Sequence, residues 1–263
     1  MLSEAESSRQ APRPRRRRWA LWAAAGILLA GTWTGLVFWQ TYAPQVNQLE
    51  SIVQHQVLVN GGSYVPLERI APEMRAAVVA AEDRTFYRNW GVSWTGIGRA
   101  LIVDIVSLEY AEGGSTITQQ LARETLLTRE KTLRRKLKEI ALAVMITRTY
   151  PKDKILEMYL NAVYFGHGAY GVEAAAETYF AKPAAALTLA QSALLAGVLQ
   201  GPSLYDPFCN LDGARARERY VLEQMVETGA ITPEQGDAAW NAPLYLIPGS
   251  CFPSAGGAQR SRA

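Results

Sequence analysis

Glu130-Lys131-Thr132-Leu133-Arg134-Arg135-Lys136-Leu137-Lys138-Glu139-Ile140-Ala141-Leu142-Ala143-Val144-Met145-Ile146-Thr147 has the pattern of a helix. Leu133, Leu137, Ile140 and Val144 recur at steps of four, three and four, the spacing that gathers side chains on one helical face. Lys131, Arg135, Lys138 and Glu139 can lie on the side opposite Leu133, Leu137 and Ile140. The stretch therefore predicts an amphipathic helix with its leucines turned inward.

The same periodicity continues in both directions. Upstream, Pro72 opens a segment with apolar Met74, Ala77, Val78 and Ala81 that runs into Glu82. Ile97, Leu101, Ile102 and Ile105 form another helical face, and Ser115 is expected to cap a helix through Leu127. Downstream, Pro151 suits the first turn of a helix reaching Ala162. Gly166, Gly168 and Gly171 interrupt the pattern before a helix over 172–180. Thr188 begins an apolar helix to Leu199, ended by Gly201-Pro202; Asp212 to Thr228 is a helix stopped by Gly229; Thr232-Pro233 begins a short last one. No segment alternates like a strand for long, so the expected class is all-α.

The amino terminus differs from the rest. Residues 1–18 hold six arginines against Glu4 and Glu6, a balance of +4, which leaves −1 for the remainder of a chain whose net charge is +3. Basicity belongs to the tail and gives no reason to expect nucleic acid. The 21 residues from Trp19 to Trp39 are apolar and uncharged, enough at ~1.5 Å per residue to span roughly 30 Å of hydrocarbon. A cleaved signal peptide has a shorter apolar core, so a membrane anchor is the stronger reading. Arginines on its amino-terminal side place that end in the cytoplasm and the rest outside. The expected divisions are a basic tail (1–18), an anchor (19–43), a polar juxtamembrane linker (44–65) ending in Asn60-Gly61-Gly62, a helical domain (66–248) and a loose tail (249–263). Cys209 and Cys251 lie in the exported part, where a disulfide can form; their spacing equally allows two free buried thiols.

Several chemistries are excluded cheaply. The two histidines, His55 and His167, lack the i+4 partner of a zinc hydrolase. Neither Ser-x-x-Lys nor Lys-Thr-Gly occurs, so penicillin-sensitive transpeptidation has no nucleophile in this chain. Carboxylates and cations remain. Glu82-Asp83 ends an apolar helix and is followed by Phe86, Tyr87 and Asn89; a carboxyl so placed is desolvated toward the pKa of a useful base, unless it is a plain solvated helix end. Gly113-Gly114-Ser115-Thr116-Ile117-Thr118-Gln119-Gln120-Leu121-Ala122-Arg123 is a glycine loop feeding a helix amino terminus, suited to a phosphate or a hydroxyl-rich ligand, or simply a cap. Thr116, Gln120 and Arg123 share a face of that helix. Arg135-Lys136-Leu137-Lys138-Glu139 offers cations around a carboxylate, a diphosphate site or a salt-bridged surface.

In order and wording these stretches resemble glycosyltransferase family 51, the peptidoglycan transglycosylases and the corresponding domain of class A penicillin-binding proteins, over roughly Leu67 to Leu246. The motifs read Ala80-Ala81-Glu82-Asp83-Arg84-Thr85-Phe86; Gly113 to Arg123; Arg135 to Glu139; Lys154-Ile155-Leu156-Glu157-Met158-Tyr159-Leu160-Asn161 with Tyr164-Phe165-Gly166 and Tyr170-Gly171; and Ala193-Leu194-Leu195-Ala196-Gly197 leading to Pro202 and Pro207. The resemblance implies a lysozyme-like helical domain that polymerises lipid II into glycan strands, with inversion and release of undecaprenyl diphosphate. Glu82 would be the general base and Glu139 the second catalytic acid, orienting the cations or holding a divalent ion such as Mg²⁺ beside it; no cofactor is required. Arg123, Lys131, Arg135, Lys136 and Lys138 would hold the diphosphate, Arg99 would lie in the donor groove, and Asp83, Phe86, Asn89, Gly114, Ser115, Thr116, Gln119 and Gln120 would contact substrate. The fourth and fifth motifs read mainly as scaffold. Some apolar surface around 97–112 is expected to dip into the membrane. Partners would be lipid II, the growing strand, the cytoplasmic membrane and cell-wall synthesis and division proteins. One departure stands out: Asn89 replaces a histidine of the family pattern, with Trp90 after it and Ser93 in place of an acidic residue. If that ring structures the cleft, an asparagine keeps a hydrogen bond; if it tunes Glu82, activity is weakened. Two rival functions are a wall-degrading hydrolase, which has no use for a diphosphate site, and an anchored, non-catalytic scaffold.

Overall fold

The computed structural model describes residues 15–93, 114–128 and 132–251. Among these, ten α-helices carry the fold and no strand forms; Tyr164 and Tyr170 make an isolated antiparallel bridge. The helices are α1 (Arg15–Asn47), α2 (Leu49–Val59), α3 (Pro72–Glu82), α4 (Ile117–Leu126), α5 (Leu133–Thr149), α6 (Lys152–Ala162), α7 (Val172–Phe180), α8 (Leu189–Val198), α9 (Leu211–Glu227) and α10 (Pro233–Asn241). The expected helical face at Ile97 to Ile105, the apolar surface around 97–112, and the tail beyond Cys251 lie outside the described residues.

The chain divides into two units after Pro44. The first is most of α1. From Trp22 to Asn47 it offers 26 residues, with an 18-residue stretch of mean hydropathy 1.4, long and apolar enough to cross a membrane. Trp22, Leu28 and Trp33 are exposed. That apolar exposure would be costly in water and suits a single-pass anchor.

The second unit is built around α8. Every residue from Ala190 to Val198 is buried, as expected of a helix apolar on all sides. α3 and α9 pack on it, α4 packs on α5 and α6, and α2 packs on α6. Gly197 lets α9 come close, because a methyl there would stand 2.9 Å from Arg217 Cβ and 3.0 Å from its carbonyl carbon. Three helices start on Thr-x-x-Gln capping boxes: Thr116/Gln119, Thr188/Gln191 and Thr232/Gln235. In each, the threonine oxygen and glutamine carbonyl satisfy otherwise orphaned amides, a contribution of about 0.5–2 kcal/mol per cap.

Three expectations are corrected. The stretch 44–65 is not merely a linker: it contains α2, whose Leu49, Val53 and Val57 recur every four residues and are buried in the folded body. The cap of α4 is Thr116, not Ser115, and Pro151 stands just before α6 rather than inside it.

A fourth and larger correction concerns α5. Its buried residues are Glu139, Leu142, Ala143, Met145 and Ile146, whereas Leu133 and Leu137 are 67% and 61% exposed. At 100° per residue the Leu133–Leu137–Ile140–Val144 stripe lies opposite that buried face. The carboxyl-terminal half sets the rotation through Leu142, Ala143 and Ile146. Glu139 accepts burial because Arg135 and Lys136 each approach it to 3.2 Å. The polar face of the amino-terminal half is therefore the one turned into the protein.

Candidate active site

α3 delivers Glu82 at its last turn. Oε2 of Glu82 accepts a 2.7 Å hydrogen bond from Nε2 of Gln120 on α4, and Oε1 of Gln120 accepts a 3.0 Å bond from the hydroxyl of Tyr159 on α6. The amide is thus fixed at both ends, and it aims its NH₂ at the carboxylate. Burial pushes the Glu82 carboxyl above the ordinary range; the Gln120 hydrogen bond and the charges of Arg217 and Arg123 draw it back, and Asp83 raises it. Burial and the nearby Glu82 hold the Tyr159 phenol well above its ordinary value, so it stays neutral.

Gln120 and Tyr159 also face a groove of about 890 Å³ between α2, α4, α6 and the turn after α8, with Arg123 and Arg135 among its lining. Arg123 pairs with Glu124 at 3.0 Å and feels the charge of Glu139. Lys136 bridges from Glu139 to the Ser115 hydroxyl, 2.6 Å away. Gln120, which holds the Glu82 carboxylate, therefore lines the same groove as Arg123 and Arg135.

Other expected contacts are internal. Phe86 is fully buried, with Lys152 Nζ 4.7 Å over its ring. Asp83 is buried and accepts from the backbone and hydroxyl of Thr85, from Asn89 Nδ2 at 2.8 Å, and from the Ile117 amide that opens α4. A carboxylate there also suits the positive end of the helix dipole. Asn89 turns its oxygen to Lys152 Nζ at 2.9 Å and to the Gly91 amide at 3.0 Å. Gly91 is in the left-handed region at φ +92°, and a Cβ there would collide with the Ala143 carbonyl of α5. Its carbonyl accepts from the Thr116 hydroxyl at 2.6 Å. Residues 83–91 thus tie the end of α3 to α4, α5 and α6, and Asn89 is a hub of that tie rather than a wall of the groove. Thr116 and Gln119, expected to line the cleft, are buried and occupied with each other in the cap. Gly114 and Lys138 are half-buried, while Arg99 and Lys131 lie outside the described residues.

The fourth motif is both scaffold and site. Glu157 accepts from the Leu67 amide at 2.9 Å, and Asn161 bonds both backbone groups of Val65, but Tyr159 between them turns to Gln120. Sequence reasoning missed the part played by Tyr159, and it missed Arg217 altogether. The only signal for Tyr159 is its place in that motif. Cys209 and Cys251 are joined in a disulfide.

At Glu139, Oε1 lies 3.2 Å from Arg135 Nε and Oε2 lies 3.2 Å from Lys136 Nζ, and Oε1 is buried without a hydrogen bond. Among the described residues no group of three or more His, Cys, Asp or Glu side chains could hold a metal.

The family model described as Transglycosylase matches residues 50–226, beginning within α2. Penicillin-binding protein 1A of Aquifex aeolicus is 49% identical over 183 residues, 70% of this chain and 25% of that protein. The same-named proteins of Neisseria gonorrhoeae and Escherichia coli are 46% identical over 172 residues and 47% over 173, covering 65% and 66% of this chain. These two matches take in 22% and 20% of those proteins, so the chain corresponds to a quarter or less of its relatives' length. With the match running through α3, the groove helices and most of α9, the chain belongs to the transglycosylases of glycosyltransferase family 51.

Proposed function

We propose that this chain is a peptidoglycan glycosyltransferase that polymerises lipid II, with Glu82 as the general base. Glu82 removes the proton from the 4-hydroxyl of the acceptor's GlcNAc. That oxygen attacks the anomeric carbon of the growing strand from the face opposite its leaving group, the glycosidic bond forms with inversion, and the electron pair of the broken bond departs with undecaprenyl diphosphate. Arg123, Arg135 and Lys136 neutralise the charge that develops there, so the leaving oxygen needs no proton. A glycosidase must instead protonate a sugar oxygen. Glu139 keeps Arg135 and Lys136 in place.

The observation that supports this reading is the placement of Gln120: one side chain both holds the Glu82 carboxylate at 2.7 Å and lines the groove into which Arg123 and Arg135 project. Burial that raises the carboxyl favours a base able to take and release a proton near neutral pH. The apolar α1 would hold the domain at a bilayer that also holds both lipid-linked substrates. The arginines before it favour an amino terminus in the cytoplasm and a catalytic domain outside the cytoplasmic membrane.

The test is to incubate the full chain in detergent or vesicles with labelled lipid II, and in parallel with purified cell wall. Growth of lipid-linked glycan strands is expected. Soluble fragments released from wall without strand growth would show a hydrolase, and no reaction with either substrate would favour a scaffold.

A further inference from the structure

Gln120 stands between two oxygens that need opposite ends of its amide. Its Nε2 donates to Glu82 Oε2 at 2.7 Å, and its Oε1 accepts from the Tyr159 hydroxyl at 3.0 Å. A glutamine amide has nearly the same shape either way round, so packing alone does not choose the end that meets the carboxyl. With its NH₂ toward Glu82 it supports an ionised carboxylate. With its oxygen there, it could bond Glu82 only if the carboxyl carried a proton.

Tyr159 settles that choice. The side chain is fully buried on α6, against which α4 packs. On either side of it, Glu157 accepts from the Tyr64 hydroxyl and the Leu67 amide, and Asn161 bonds both backbone groups of Val65, so the helix cannot turn the ring away. Among the described residues, the Tyr159 hydroxyl gives its proton to Gln120 alone. A reversed amide would set its NH₂ against the phenol oxygen and strand that proton where it has no acceptor, which buried groups rarely tolerate. Burial and the nearby Glu82 keep the phenol neutral, so the proton is there to give.

Resting on the reading of Glu82 as base, we propose that Tyr159 is a positioning residue that decides which end of the Gln120 amide meets Glu82, and so keeps the carboxylate ionised to receive the acceptor's proton. The bond at Oε2 leaves Oε1 of Glu82 without a donor among the described residues, open to the acceptor hydroxyl. Burial works against the ionised form, and the Gln120 hydrogen bond is the first of the effects that oppose it. The charged and titratable groups acting on Glu82 from the packed elements are Asp83 at the end of α3, Arg123 on α4, Tyr159 on α6 and Arg217 on α9; α8 has no ionisable side chain.

The test is the pH–rate profile of strand growth from labelled lipid II for the full chain, Tyr159→Phe, Gln120→Met, the double variant and Glu82→Gln, each checked for helical content by circular dichroism. Phenylalanine keeps the ring and frees the amide to turn its oxygen to a protonated Glu82. That favours the protonated form, so the acidic limb of Tyr159→Phe should move upward by about half to one pH unit, roughly a three- to tenfold loss on that limb. Activity on the alkaline plateau and KM should stay within about twofold. Gln120→Met should raise the limb as well, and Tyr159→Phe should then add nothing to it, because no amide is left to orient. An unmoved limb, a loss equal at every pH, or shifts that add in the double variant overturn the inference. If Tyr159→Phe fails to fold, 3-fluorotyrosine placed at position 159 decides: a stronger donor of the same shape should move the limb downward, and an unmoved or raised limb overturns the role. Should Glu82→Gln retain full activity, the base assignment itself fails; if Glu82→Gln is dead and the Tyr159→Phe limb unmoved, only the role of Tyr159 falls.

Discussion

Glu82 and Glu139 are two acids, each held by a residue that lines the groove, in opposite circumstances. Glu139 is 1% exposed and sits between Arg135 and Lys136 at 3.2 Å, so its charge is balanced by direct contact. Glu82 is half-buried, takes, among the described residues, one side-chain hydrogen bond from a neutral amide, and feels Arg217 and Arg123 only through space. The lesson is that a cation in contact makes a carboxylate a fixed structural charge, whereas cations at a distance leave it able to exchange a proton. Replacing each acid should therefore break a different property.

The largest effect is expected at Glu82. Removing a positioned general base costs about 10²–10⁴-fold in rate, so Glu82→Gln should lower the strand-growth rate by that factor with an unchanged circular dichroism spectrum. Glu139→Gln should act first on the fold. It leaves two cations without their buried acid and should destabilise the domain by about 3 kcal/mol, read from urea unfolding. A Glu139→Gln protein as stable as the wild type would erase the contrast.

Glu82→Gln has a second expected consequence. An acid whose folded pKa is raised contributes stability below its unfolded pKa and loses it as pH rises through the folded value. At neutral pH the ionised, desolvated Glu82 therefore costs stability, and Glu82→Gln should melt higher than wild type at about pH 7.5, with the gain vanishing by about pH 4. The smallest effect is expected on the outward side of the helix that holds Glu139. Leu133→Gln and Leu137→Gln should each change stability by less than about 0.5 kcal/mol, against roughly 2–5 kcal/mol for Ile146→Ala on the buried side. Large losses at Leu133 and Leu137 would restore the inward leucine face that periodicity suggests.

That helix shows where sequence reading stops. Its existence was legible from Leu133, Leu137, Ile140 and Val144, and its rotation was not, because periodicity finds a stripe without saying what covers it. Arg135 and Lys136 could be grouped with Glu139 from sequence, since they lie within about one turn of it. Gln120 was rightly paired with Arg123 on one face. Thr116 and Gln119 were misassigned to the groove, although Thr-x-x-Gln before an apolar run is itself a capping signal. Asn89 could not be placed from sequence, because its partners Asp83 and Lys152 belong to different elements.

The sequence by itself determined the run of helices, where most of them begin and end, and the apolar anchor before them. Proline at first turns, threonine caps, glycine stops and a long uncharged stretch act on their immediate neighbours. Only the tertiary structure decided which side of α5 faces in, that Tyr159 holds Gln120 against Glu82, and that Cys209 meets Cys251. Each of these depends on contacts between residues far apart in the chain. Burial and charge are properties of the surroundings that packing creates, and local spacing does not carry them.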